Sequence, residues 1–101
     1  MVLVIGKALI RESRRQEAIE VSFEHVQRAR QGEGCLMHSV NVDVENPNRL
    51  VFVEYWQDRQ SLLRHFEKPE SIEFSKHIRG LVTEPPTIEI FDGESWNPFK
   101  A

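Results

Sequence analysis

Cysteine, excess positive charge and long hydrophobic runs are all scarce in this sequence, and each scarcity removes a class of protein. Cys35 is the only cysteine, so no internal disulfide can form. Its neighbours Gly34 and Leu36 predict a half-buried, inert thiol in a reducing, cytoplasmic setting. The N-terminal apolar run MVLVIGKALI is too short to span a bilayer and lacks the basic leader and small-residue cleavage site of a signal peptide, so it is predicted to be a strand. Thirteen Lys plus Arg stand against sixteen Asp plus Glu, a net charge of −3. Arg11, Arg14 and Arg15 cluster but are interleaved with Glu12 and Glu17, which predicts neither a nucleic-acid footprint nor a membrane patch. The chain has no GxSxG, P-loop, GxGxxG or CxxC pattern, so acyl transfer, nucleotide binding and dithiol chemistry have no support. No two of the four histidines share a chelating spacing, and no metal site is predicted.

What is present reads as one domain over 1–101, large enough to bury roughly 65% of its unfolded surface without a staple. Val2 to Ile10 is aliphatic on both alternating faces, the pattern of a strand covered on two sides. Ser13 and Gln16 form a capping-box pattern ahead of a helix carrying Ile19, Phe23 and Val26, which ends at Gly32 and Gly34. His25, next to Phe23 and Glu24, is placed on its surface. Cys35 to Asp43 alternates as a strand, VENPNR reads as a turn, and Leu50 to Trp56 returns as a hairpin partner. Asp58 is predicted to cap a short helix that Pro69 interrupts, and a second helical segment places Phe74, His77, Ile78 and Leu81 on one stripe. TIEIF is the last strand of a core over 1–92, followed by a polar tail over 93–101 that holds Trp96 and Phe99.

The order strand, helix, strand, strand, helix pair, strand is the α+β, ferredoxin-like βαββαβ arrangement with an antiparallel sheet. Its helices cover one sheet face only, yet two strands are apolar on both. A second copy covering the other face is the economical answer, so a homodimer is expected.

The run VFVEYWQDRQSLLRHFEKPE carries Glu54, Trp56, Asp58, Leu62, His65 and Pro69 in the pattern E-x-W-x-D-x-x-x-L-x-x-H-x-x-x-P, preceded by EGCLMHSV. It resembles the antibiotic biosynthesis monooxygenase family of dimeric α+β barrel proteins, and the likeness runs through TIEIF. The resemblance implies a cavity between helices and sheet, a small aromatic substrate such as a quinol or polyphenol, dioxygen as co-substrate, and no cofactor. Relatives on this fold also include haem-degrading oxygenases and an isomerase of phosphorylated sugars. The haem branch is not expected: the first strand has Gly6 and Lys7 where those enzymes use asparagine, His65 takes a tryptophan's place, and only His77 lies near the ligating histidine. The isomerase would need basic residues in the cavity, where the sequence offers Lys7 and Arg79 or Arg64. A non-catalytic metabolite-binding dimer is the third reading.

His65, on the flank of an apolar helical stripe, is the first candidate for a catalytic base and His77 the second. For each, the competing reading is a structural histidine satisfied by one hydrogen bond. Met37, His38, Glu54, Trp56, Phe66 and Phe74 are the candidate substrate-binding residues. Trp56 reads equally as a core anchor whose indole N–H needs a partner.

Overall fold

The computed structural model describes residues 1–100. Strand β1 (Val2–Leu9) leads through a 3-10 turn at Glu12–Arg14 into helix α1 (Arg15–Ala29). Strands β2 (Cys35–Asp43) and β3 (Asn46–Trp56) form a hairpin, α2 (Arg59–Glu67) and α3 (Pro69–Arg79) follow, and β4 (Thr87–Asp92) closes the sheet. The four strands are antiparallel in the order β2-β3-β1-β4. This is the ferredoxin-like α+β fold expected from the element order.

Strand alternation sorts the core. Val2, Val4 and Ala8 of β1 pair with Trp56, Glu54 and Leu50 of β3, and all six side chains are buried beneath the helices. Ala18, Val26, Leu62, Ile78 and Leu81 cover them from the helical layer and the turn after α3. The opposite face carries Leu3, Ile5, Val51, Val53, Tyr55, Met37 and Phe91, none of which is buried.

Local signals explain the helix boundaries. The Asp58 carboxylate accepts a hydrogen bond from Ser61 N at 2.8 Å, capping α2 as expected. Lys68 is extended, with φ −65° and ψ 137°, because Pro69 follows it. It therefore ends α2, and Pro69 opens α3 at a position where its missing N–H costs no helical bond. Gly34 adopts φ 81°. An added Cβ there would lie 2.1 Å from Ser61 Oγ, so this turn needs glycine for both conformation and space.

Three local expectations are corrected. Ser13 does not cap α1: it sits in the 3-10 turn, and Arg14 occupies the N-cap without a side-chain bond. The VENPNR turn is shorter than read, because β3 already begins at Asn46. On α1 the buried residues are Ala18, Ser22, His25, Val26 and Ala29, while Phe23 is half exposed. Small residues at 18, 22 and 29 let the helix lie close to the sheet, which turns His25 inward rather than to the surface.

Candidate active site

Gly6 and Ala8 put almost no side chain on the helix-facing side of β1, and the space they leave is a cavity of about 220 Å³ beneath α3. His25, His38, Glu54 and His65 line its polar end, and Phe52, Phe66, Phe74 and Ile78 line its apolar walls. A larger groove of about 640 Å³ runs over α1 and α3, but Glu24, Arg28, Glu70, Glu73 and Lys76 line it in mixed charge, and no buried titratable group faces it. The buried titratable groups face the smaller, half-open space.

Three elements bring the histidines together. His25 comes from α1, His38 from β2 and His65 from α2, with 5%, 2% and 5% of their surfaces exposed. Their ring centroids are 5.6 Å (25 to 38), 5.2 Å (25 to 65) and 5.5 Å (38 to 65) apart. Aromatic neighbours hold the rings: Phe74 stacks on His25 at 4.0 Å and 5°, and Trp56 lies 4.7 Å from His65. Glu54, 7% exposed, accepts the Trp56 indole N–H at 2.8 Å through Oε1. His38 Nε2 is 3.3 Å from the same oxygen but without hydrogen-bond alignment, and His25 Nδ1 and His38 Nδ1 also lack partners among the described residues.

Burial sets the electrostatics. It pushes the His25 imidazole down to about 3, helped by the neighbouring His65 and His38. Burial likewise lowers His65 to about 4, against the opposing pull of the Glu54 charge. Both rings are therefore neutral at pH 7. Burial alone would raise the Glu54 carboxyl, but the adjacent His38 and the Trp56 N–H outweigh it and leave Glu54 below the usual carboxylate value. The site is thus an ionised buried carboxylate beside two neutral imidazoles, His25 and His65, whose burial makes them weak bases. Cys35 packs beside Val2, Val4, Trp56 and Leu62, and burial raises its thiol, in keeping with the inert thiol expected.

The structure thus gathers His38, Glu54, His65, Phe66 and Phe74 around one cavity. Trp56 stands behind it, anchoring Glu54 and backing His65, the anchor role weighed for it. Met37 is elsewhere: a register shift between Cys35 and Met37 turns Cys35 toward the helices and leaves Met37 opposite Tyr55 on the uncovered face. His77 is also elsewhere. α3 buries only Ile78, so its neighbour is exposed and bonds Glu17 Oε2 across to α1 at 2.7 Å, holding that carboxyl low together with Arg14. His25 went unrecognised, although its spacing from Ala18, Ser22 and Ala29 was a readable signal. Spacing along the chain did not anticipate that three histidines far apart in sequence converge.

The comparisons agree with this geometry. The family model described as antibiotic biosynthesis monooxygenase matches residues 1–77. An uncharacterised protein, sll1783, from Synechocystis sp. is 28% identical over 90 residues, 89% of this chain, and the chain spans 61% of that relative's length. The solved structure of an antibiotic biosynthesis monooxygenase is 25% identical, with coverage of 94% of this chain and 100% of that one and a TM-score of 0.87. Structures from Deinococcus radiodurans (22% identity, coverage 99% and 100%, TM-score 0.91) and Methanosarcina mazei Go1 (22%, 92% and 92%, 0.88) share the fold. With the family model covering more than half of its length, the chain belongs to the antibiotic biosynthesis monooxygenase family.

Proposed function

We propose that this chain is a small-molecule monooxygenase that oxidises a monocyclic, electron-rich aromatic such as a quinol with dioxygen, with His65 as the base. The observation that carries the reading is the half-open cavity, apolar on its walls and ending in the buried His25 and His65 rings. A cavity of roughly 150 Å³ holds one benzene ring. The space of about 220 Å³ found here therefore accommodates a single substituted ring. Phe66 and Phe74 contact the ring faces, while His38 and Glu54 orient its polar edge.

His65, whose ring titrates at about 4, takes the phenolic proton in the same step in which the aromatic ring passes one electron to dioxygen, and later returns it to the peroxide. Recombination of the two radicals forms a carbon–oxygen bond. Loss of water from the resulting hydroperoxide leaves one oxygen atom in the product and one in water, with all electrons drawn from the substrate. The protein's part is to accept the proton, exclude water and hold the ring. An isomerase of phosphorylated ligands is less well supported, since the basic residues bordering the cavity, Lys7 and Arg79, are exposed at its rim and Arg64 instead bonds Ser61 Oγ.

We infer in addition that two copies pack through the uncovered face in the cytoplasm, because Leu3, Ile5, Val51, Val53 and Phe91 together make an apolar sheet surface that one chain leaves bare. The direct test is mass spectrometry of products from a panel of quinols under ¹⁸O₂. One labelled oxygen per product, formed faster than in buffer, supports the reading, and no rate above buffer for any monocyclic quinol overturns it.

A further inference from the structure

The three histidines do more than border the cavity. One nitrogen from each of His25, His38 and His65 lies within 4.8 Å of the others, and all three residues are at least nine-tenths buried. Buried imidazole nitrogens ordinarily find hydrogen-bond partners. Here His25 Nδ1 and His38 Nδ1 have none among the described residues, and His38 Nε2 has only the Glu54 carboxylate at 3.3 Å. Two of the three adjacent rings thus keep a nitrogen free for something between them.

The spacing can be compared with an ion. At a tetrahedral zinc, Zn–N bonds of about 2.0–2.1 Å place each ring centroid about 3.2 Å from the metal and neighbouring centroids about 5.2 Å apart. The observed centroid separations are 5.2, 5.5 and 5.6 Å, so the rings stand at the right spacing, while their nitrogens, within 4.8 Å of one another, must turn inward to the roughly 3.4 Å that a tetrahedral ion sets. The local charge agrees. Glu54 is buried without a Lys or Arg partner among the described residues, and buried carboxylates are otherwise paired or placed beside metals. With His38 Nε2 turned toward Glu54, His38 Nδ1 is the nitrogen left for an ion, a carboxylate–histidine–metal order that fixes a ligand ring.

We propose that His25, His38 and His65 form a binding site for a divalent transition-metal ion, with Glu54 positioning His38 and a fourth coordination position open to the cavity. Imidazole ligands favour Zn(II), Co(II), Ni(II) and Cu(II) over Mg(II) and Ca(II). Binding itself is independent of the oxygenase reading and is measured without any substrate. The two uses of His65 exclude each other in one molecule, because the lone pair that would take a proton is the one that would hold the ion.

The test uses untagged full-length chain, stripped with EDTA and desalted, then titrated with Zn(II) by calorimetry and with Co(II) by absorption. One Zn(II) per chain at micromolar concentration, a four-coordinate Co(II) spectrum, and a thermal midpoint raised by Zn(II) but not Mg(II) are expected. His25→Gln and His65→Gln should each remove that binding, Glu54→Gln should weaken it roughly 10- to 100-fold, and His77→Ala should leave it unchanged. Each variant is first checked for native circular dichroism. If neither histidine variant folds, the stoichiometry and Co(II) spectrum of the unaltered chain decide. Less than half an equivalent of Zn(II) bound, or binding that survives in both histidine variants and is lost in His77→Ala, overturns the site.

Discussion

Replacing His65 by leucine separates its possible roles in one variant. At 5% exposure the ring lies among Trp56, His25, His38 and Phe66, so truncation to alanine would open a void and confuse a packing loss with a catalytic one. Leucine roughly conserves volume, and such swaps usually cost under about 1.5 kcal/mol. The pH dependence is then informative. The folded imidazole titrates at about 4, whereas in the unfolded chain it takes up its proton near the ordinary 6.5. Its contribution is fully present above pH 6.5 and is lost as pH falls toward 4, because only the unfolded state binds the proton in that window. At pH 5 the unfolded ring is about 1.5 units below its own pKa, which at 1.36 kcal/mol per unit costs the native state about 2 kcal/mol. Urea midpoints on EDTA-treated protein should therefore show wild type losing about 2 kcal/mol more than His65→Leu between pH 8 and pH 5. His25 titrates at about 3, well below pH 5, so even without the neighbouring His65 its contribution between pH 8 and pH 5 changes little and nearly cancels. Oxygen uptake with a turned-over quinol, measured at pH 7.5, should fall roughly 10²- to 10⁴-fold in the variant. Parallel acid losses in the two proteins would refute the buried neutral ring, and uptake within a few-fold of wild type would remove the base from His65.

Gly6→Val should keep the fold, since an added Cβ meets Phe52 Cβ at 3.7 Å in ordinary contact, while the rest of the side chain enters the cavity; thermal melts near wild type with a KM raised at least several-fold are expected. Gly34→Ala should destabilise by about 2–5 kcal/mol in urea melts, combining a left-handed backbone with overlap at Ser61. Light scattering at micromolar concentration should give twice the chain mass, and Ile5→Lys together with Val53→Lys, on neighbouring strands of the bare face, should halve it. Added Zn(II) should suppress oxygen uptake and EDTA should restore it, whereas EDTA alone should leave uptake unchanged.

The fold was largely legible because its signals are local. The cap at Asp58, the break at Pro69 and the alternation from Cys35 to Asp43 each follow from a few neighbouring residues. The site was half legible, and its misses have physical causes. His77 sits at a helical position that pattern makes apolar, but α3 lies on the rim of the core and leaves it in solvent. Met37 adjoins His38, so strand alternation already sets the two on opposite faces and only one could line the cavity; the register shift accounts instead for Cys35 turning inward. His25 was missed because Phe23 and Ile19 suggest a different buried face, and the stripe it shares with Ala18, Ser22 and Ala29 shows only when small residues are counted as buried. The convergence of three rings from α1, β2 and α2 is a tertiary fact that no spacing along the chain expresses.

The position of β1 in the middle of the sheet also bears on synthesis. Val2 lies in register with Trp56 on one side and Asp92 on the other, so β1 is flanked on both edges only when β4, made after it, arrives. At roughly 5–20 residues per second, translation of the intervening stretch takes on the order of 5–20 s. The β2–β3 hairpin is continuous in sequence and can form during that time, but the segment VLVIGKAL cannot be enclosed on both edges. Throughout that interval the aliphatic β1 segment keeps at least one unpaired edge, the kind of segment that sheet proteins otherwise protect from edge-to-edge association.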